Sequence, residues 1–258
     1  EVCIANEAMQ KAAWKYCHTS QLILDGTFGV CDCKMLLFIV MGVDERGHGV
    51  LVAFFLFSAP SGNRKTDAGY NTEILEKLLL RWTTALNAAD FKPSPEVSFT
   101  PKVAITDTDL KERNALVRVF PEIWLLICKF HLRQSWQNHR TRVLKGTSTL
   151  HAHVRTRLRQ LEDELIDSLN HSQGMVAIEC ERALMTSKVD PQDAQLAAGA
   201  LEHLTYLSGY WMSESLWRSW SAFGRQEAAH RLGFEVNMVL MTTNHLESFN
   251  DILKRKHL

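Results

Sequence analysis

Two aspartates stand where carboxylates are unusual, in or at the end of apolar, strand-like segments. Asp25 lies within the segment LILDGTF, residues 22–28, and Asp107 closes the segment VAITD, residues 103–107. A carboxylate in such a strand is costly unless it has a partner, a metal ion or an opening to solvent. Paired carboxylates suit Mg²⁺, which prefers oxygen ligands. The alternatives are an outward-facing strand residue for Asp25 and a helix N-cap for Asp107, a position for which Asp109 competes.

A third acid, Glu247, lies in the segment TTNHLESFN, residues 242–250, at the start of a helix predicted to run to about Lys256. Its carboxylate is a candidate ligand for the same metal. Asn244 followed three residues later by Glu247 also resembles a capping box, in which the glutamate only closes the helix start. Spacing alone favours the capping role.

Cys128 and His131 form a Cys-x-x-His pair directly after an apolar segment. Two ligands are too few for a structural zinc site, which takes four. Cys31 and Cys33 would complete such a site only if they came close to this pair. The alternative is a buried cysteine beside a histidine bonded to the backbone.

The segment from Lys129 to Arg159 contains eight lysines or arginines and no acid, a pattern typical of a phosphate-facing surface or a solvated helix face. Trp136 lies among these bases and is a candidate for stacking on nucleic-acid bases, although its spacing also allows a core role. The predicted DNA-binding residues are Arg133, Trp136, Arg140, Arg142, Lys145, Arg155, Arg157 and Arg159.

Composition sets the wider limits. The 258 residues are 46% hydrophobic and 22% charged, which excludes a disordered chain. The 29 basic residues balance the 29 acidic ones, so any basic surface must arise from local segregation. The longest apolar runs, such as Leu51–Phe57, are too short to span a membrane, and no signal peptide opens the chain. Six cysteines are too few for a disulfide scaffold and favour a reducing, cytosolic or nuclear location.

The order of predicted elements in the first half is β-β-β-α-β-α-β. Three strands in a meander are followed by strands joined through crossover helices, an order that matches a ribonuclease H-like mixed sheet. In such a sheet the first and fourth strands are parallel neighbours, which would bring Asp25 and Asp107 together. Helix dominates after residue 130, and residues 140–238 read as an all-helical insertion.

Five segments, in this order, resemble the catalytic core of a Mutator-like element transposase. They are Leu24-Asp-Gly-Thr-Phe28, Ile105-Thr-Asp107, Phe120-Pro121, Cys128-Lys-Phe-His131 with Trp136, and Thr242-Thr-Asn-x-x-Glu-Ser-x-Asn250. The resemblance implies an α/β, ribonuclease H-like fold with a helical insertion. It divides the chain into a first core part (1–138), the insertion (139–238) and a final helix with the third acid (239–258).

The resemblance also assigns catalytic and metal-binding roles to Asp25, Asp107 and Glu247, which would hold two Mg²⁺ or Mn²⁺ ions. It makes Cys128 and His131 a structural or DNA-positioning pair, and zinc is not expected here. The implied activity is cleavage and strand transfer of DNA by a DDE transposase.

The implied setting is the nucleus. The partners would be transposon ends and target DNA, bound by a homo-oligomer with no membrane involved. Two other functions are considered. One is a domesticated DNA-binding transcription regulator that lacks catalysis. The other is a ribonuclease H-like nuclease of repair or RNA processing, against which the order of the motifs argues.

Overall fold

The computed structural model describes residues 1–27, 35–58, 70–187 and 193–256. The chain divides into two compact units, one formed by Glu1–Cys128 with Ala228–Leu258 and the other by Lys129–Glu227. The predicted boundaries at 138/139 and 238/239 both lie farther along the chain than these. Within the described ranges, no helix is long and apolar enough to cross a membrane.

The first unit contains a mixed sheet whose described strands are β1 (Val2–Ile4), β2 (Gln21–Thr27), β3 (Met35–Val43), β4 (Gly49–Ser58), β5 (Val103–Thr106) and β6 (Trp124–Ile127). Their spatial order is β1-β4-β3-β2-β5-β6. Strands β2, β3 and β4 form an antiparallel meander, to which β1 adds an antiparallel edge. Strand β5 pairs in parallel with both β2 and β6. The predicted mixed α/β class is confirmed. The predicted order of elements along the chain, from β2 to β6, and the parallel pairing of β2 with β5 are also confirmed, and β1 is an additional strand.

The described helices are α1 (Glu7–Tyr16), α2 (Thr72–Ala88), α3 (Leu110–Val119), α4 (Lys129–Val143), α5 (Thr149–Ile166), α6 (His171–Ser187), α7 (Ala194–Tyr206), α8 (Glu214–Trp220), α9 (Ala222–Leu232) and α10 (Asn244–Lys256). A π-helical turn (Leu207–Trp211) follows α7, and a 3₁₀ turn (Val236–Met238) precedes α10. Asn71 caps α2 by accepting from the Ile74 amide at 3.1 Å, and Asn is among the preferred residues at this position.

Strand β2 is buried on both faces, and its side chains alternate between two apolar clusters. Leu22 and Leu24 belong to the larger cluster with Phe38, whereas Ile23 packs with Leu246 of α10 on the other face. Burying each of these side chains is worth about 1.5–3 kcal/mol, so a one-residue slip of register would be costly. The alternation therefore fixes Asp25 on the same face as Ile23.

Gly26 pairs directly with Phe38 across the β2–β3 ladder, and a Cβ at position 26 would lie 2.8 Å from the phenyl ring. Gly26→Ala is expected to lower the free energy of unfolding by about 1–3 kcal/mol through overpacking. Adding Phe38→Leu should restore part of that loss in urea denaturation. Gly209→Ala is the control, because a Cβ there meets nothing within 4 Å. Equal losses for Gly26→Ala and Gly209→Ala would contradict the packing argument.

Candidate metal and catalytic site

Parallel pairing of β2 with β5 places the two predicted aspartates side by side. The register joins Gln21 to Val103 and Ile23 to Ile105, so two residues farther along Asp25 lies beside Asp107. A carboxylate oxygen of each lies within 4.8 Å of the other. Asp25 is only 7% exposed, which excludes the solvated-strand alternative. The structure thus brings together two of the three acids that the sequence singled out.

A third carboxylate of this group belongs to Glu112, which the sequence analysis did not identify. Glu112 lies in the first turn of α3, is 2% exposed, and has an oxygen within 4.8 Å of both aspartates. Its position three residues after the N-cap Asp109 is that of a capping-box glutamate, which ordinarily accepts from the N-cap amide. Here the Asp109 amide donates to Asp107 Oδ1 at 2.6 Å, so the carboxylate of Glu112 turns to the cluster.

Asp109 is the N-cap of α3, and this decides against Asp107 as the capping residue. The Asp109 carboxylate accepts from the Lys111 amide at 2.8 Å and from the Tyr70 hydroxyl at 2.5 Å. Burial, followed by the nearby charges of Glu112 and Asp109, raises the pKa of Tyr70, which keeps its hydroxyl a donor. Both oxygens of Asp109 are therefore engaged, and it positions Asp107 from outside the cluster.

The electrostatics of the cluster favour a bound cation. Burial raises the pKa of Glu112 well above its usual range, and the charges of Asp107, Asp25 and Asp109 raise it further, whereas Arg113 opposes them. Arg113 is itself buried. Its single positive charge does not offset the effects that raise the pKa of Glu112.

The donor set also fits Mg²⁺ or Mn²⁺. Among the described residues, the buried Oε2 of Glu112 accepts no hydrogen bond, so one ligand atom is available inside the cluster. All three side chains offer carboxylate oxygens, which these hard cations prefer, and none offers the thiolate or imidazole typical of zinc.

Glu247 lies in the first turn of α10 and is not part of this three-carboxylate group. Its Oε1 accepts from the hydroxyl of Thr243 at 3.1 Å. The Thr243 carbonyl accepts from the amides of Leu246 and Glu247, so Thr243 stands at the N-cap position and Asn244 is already helical. With Thr243 at the N-cap, Glu247 is the fourth helical residue and not the third, so the capping box predicted from Asn244 and Glu247 is not formed.

Cys128 is buried at the end of β6, where its Sγ lies 3.4 Å from both the amide and the hydroxyl of Thr243. This contact joins the strand to the residue that begins α10. His131 lies in the first turn of α4, with its ring 5.4 Å from that of Phe130. Cys31 and Cys33 lie outside the described residues.

Most of the predicted DNA-binding arginines have partners within the helical unit. Arg133 contacts Asp163 at 2.6 Å, and Arg142 contacts Glu202 at 3.7 Å. Arg157 makes two bonds to Glu181, of 2.9 and 2.6 Å. The buried Arg140 pairs with Glu162, and Arg155 donates to the carbonyls of Leu144 and Gly146. Lys145 and Arg159 are exposed, with no ion pair to another described residue.

Trp136 is completely buried in the helical unit. Its ring meets those of Trp211 and Trp220 edge to face, with centroids 5.9 and 5.2 Å apart. A ring enclosed in this way presents no face to a nucleic-acid base. The core role that its spacing also allowed is the one observed, in place of the predicted stacking role.

Comparison with known proteins places this site in a family. Residues 21–135 match the family model of the MULE transposase domain. This stretch is a MULE transposase domain. The resemblance to Mutator-like element transposases is thereby confirmed, and the MULE transposase domain contains Asp25, Asp107 and Glu112. Glu247 lies beyond the matched residues. No curated protein matches the chain.

The raised pKa of Glu112 predicts a pH dependence of stability. The folded chain binds this proton more tightly than the unfolded chain, in which Glu112 titrates near 4.5. The resulting stability is complete below that value and is lost as the pH rises through the raised folded pKa. With EDTA present, the advantage in melting temperature of Glu112→Gln over the parent should therefore grow from about pH 5 to about pH 8.

The matched control for that experiment is Glu122→Gln, which removes an exposed carboxylate from the same unit. Its melting temperature should follow that of the parent across the whole range. A difference in melting temperature between Glu112→Gln and the parent that stays constant over this pH range would contradict the raised pKa of Glu112.

Proposed function

We propose that the chain is the catalytic core of a DNA transposase that cleaves and joins DNA strands by a divalent-metal-dependent DDE mechanism. One observation carries this proposal. Two carboxylates, those of Asp25 and Asp107, are brought together on adjacent parallel strands inside a MULE transposase domain. The family match supports this activity, and the position of the acids supplies a place for its chemistry.

We also propose that the first unit has a ribonuclease H-like fold, with residues 129–227 as its helical insertion. The sheet order supports this assignment, because a three-stranded antiparallel meander is extended by two parallel strands on the side of β2. The second unit contains only helices among its described elements. Its place between β6 and α10 agrees with an insertion before the last acid.

In the proposed reaction, Asp25 and Asp107 hold Mg²⁺ or Mn²⁺ through carboxylate oxygens. Bound divalent ions would activate a water or a DNA 3′-hydroxyl and stabilise the leaving oxygen in an in-line displacement. Hydrogen bonds within the protein fix the positions of the ligands before an ion binds. The Asp109 amide fixes one oxygen of Asp107, and Tyr70 holds Asp109 in turn.

Glu247 is proposed as the third acid of this mechanism. The hydroxyl of Thr243 orients its carboxylate, and the pairing of Thr243 with Cys128 anchors the start of α10. Cys128 thus serves as a structural residue in the proposal, and His131 as its companion in DNA positioning. No side chain needs to form a covalent bond to DNA.

Asn substitutions at the paired aspartates provide the test of this proposal. Asp25→Asn or Asp107→Asn should lower Mn²⁺-dependent nicking of plasmid DNA by more than about a hundredfold, since outer-shell partners of a metal are already worth about 10–100-fold. Glu247→Gln should do the same, because an amide cannot supply negative charge to the ion. DNA binding should persist in all three variants.

Asp90→Asn is the matched control, because it neutralises an exposed aspartate of the same unit and should nick at the parental rate. Nicking by Asp25→Asn at the parental rate would refute the catalytic assignment. A parent chain that binds DNA and never cleaves it would instead support a domesticated regulator.

DNA is the proposed partner, bound in the nucleus by a homo-oligomer of this chain. Because most arginines of the basic segment pair with acids, we assign phosphate contact to Lys145 and Arg159. Replacing both with Gln should reduce the slope of log K against log salt by about 2, since each lost phosphate contact changes it by about 0.9.

The free energy of unfolding of the same double variant should lie within about 0.5 kcal/mol of the parental value, because only exposed side chains are altered. Arg157→Gln should differ by lowering the free energy of unfolding by about 1–3 kcal/mol, because the buried Glu181 loses its partner. Arg46→Gln with Lys102→Gln removes the same net charge from exposed positions of the other unit. An identical change of slope in this control would show that the effect comes from net charge and not from the positions of Lys145 and Arg159.

A further inference from the structure

We infer that Glu112 is a metal ligand, which with Asp25 and Asp107 completes a three-carboxylate site for a divalent cation in the DNA-free chain. The inference rests on the proposed function and goes beyond it, because the family resemblance assigns the third acid to Glu247. All three ligands lie within Glu1–Cys128, and the MULE transposase domain contains them all.

The position of the Glu112 carboxylate is the first argument. The side chain is 2% exposed, and one of its oxygens lies within 4.8 Å of oxygens of both aspartates. Two oxygens on opposite sides of one Mg²⁺ are about 4.2 Å apart, since each bond is about 2.0–2.1 Å. Ligands at right angles on the same ion are about 2.9 Å apart, so binding would draw the three carboxylates closer together.

The second argument is the hydrogen bonding of Glu112. Its buried Oε2 accepts no hydrogen bond from the described part of the chain. A buried carboxylate oxygen without a donor is unfavourable, because it has lost its hydration and gained no hydrogen bond in return. A cation bound at this oxygen would remove that cost.

A capping role for Glu112 does not account for this geometry. The amide of Asp109, which a capping-box glutamate would accept from, donates to Asp107. A second amide of the helix start, that of Lys111, donates to Asp109. The first turn of α3 thus satisfies these donors without the carboxylate of Glu112.

A purely structural ion pair with Arg113 does not account for it either. Arg113 brings one positive charge to a group of three carboxylates. The guanidinium of Arg113 also lies 3.5 Å from the hydroxyl of Thr106, so Glu112 is not its only neighbour. The carboxylates outnumber the cation, and the surplus negative charge calls for a metal.

Glu247 lies outside the three-carboxylate group, with its Oε1 bonded to Thr243. The site in the first unit therefore needs no residue of α10 in order to bind a metal. A single site formed by Asp25, Asp107 and Glu247 would make metal binding and cleavage depend on the same three residues. Binding of the cation without DNA should depend on Glu112, whereas cleavage should depend on Glu247.

Mn²⁺ titration of the full chain, followed by electron paramagnetic resonance without DNA, tests this separation. Glu112→Gln should weaken Mn²⁺ binding by about tenfold or more, which corresponds to about 1.4 kcal/mol. The exposed controls Glu122→Gln and Asp90→Asn should change it by less than about twofold. The rise in melting temperature caused by Mn²⁺ should shrink in Glu112→Gln alone of these three.

The fold of each variant is checked by its melting temperature in EDTA, where Glu112→Gln should be at least as stable as the parent. Parental Mn²⁺ binding by Glu112→Gln, together with loss of binding in Asp25→Asn, would overturn the inference and leave the proposed function standing. Equal loss in Glu247→Gln would overturn the separation of the two glutamates. A parent chain that neither binds Mn²⁺ nor cleaves DNA would defeat the proposed function itself.

Discussion

Parallel hydrogen bonding between β2 and β5 forces two carboxylates into a part of the sheet that is otherwise apolar. Like charges at this separation in a poorly hydrated site repel strongly, and each also loses its hydration. The neighbouring residues reduce this cost in part, because Asp107 accepts an amide hydrogen bond and Arg113 brings a positive charge nearby. The remaining cost is tolerated because the apolar clusters on both faces of β2 hold the register.

The strand that carries Asp25 also fixes the segment that leads to Glu247. The side chain of Gln21 donates to the Met238 carbonyl at 3.4 Å and accepts from the Leu240 amide at 3.1 Å. Leu246 of α10 then packs against Ile23 of the same strand. Residues far apart in sequence are thus held to one strand by two hydrogen bonds and one apolar contact. A single element of the sheet positions both ends of the proposed catalytic apparatus.

Local patterns in the sequence were enough to predict the order of strands and helices in the first half and the pairing of Asp25 with Asp107. Both depend on alternation or the right-handed crossover rule, and these act over short distances or through topology. Glu112 could not be distinguished by such patterns, because an acid at the third position of a helix is usually a cap. Only the Asp107–Asp109 hydrogen bond, formed in the folded chain, directs it into the cluster.

Predictions from charge patterns in the sequence meet the same limit, as the basic segment Lys129–Arg159 shows. Its eight bases form one continuous run in sequence, but the acids that pair with them come from elsewhere in the helical unit, including Glu181 of α6 and Glu202 of α7. Helix packing therefore neutralises a surface that the sequence alone presents as a phosphate-binding face. Arg140 is the extreme case, since it is buried and paired with Glu162. The carboxylate of Glu162 also contacts the imidazole of His203 at 2.8 Å.

This internal pairing has a consequence for DNA recognition. Salt-dependent affinity scales with the number of phosphates neutralised, and an arginine already bound to a carboxylate gains little by exchanging it for a phosphate. A helical unit whose arginines mostly serve its own packing would add modest, sequence-independent affinity. Strong binding by one chain would then require cations outside this segment, or a second copy that doubles the contact, in keeping with the homo-oligomer proposed on DNA.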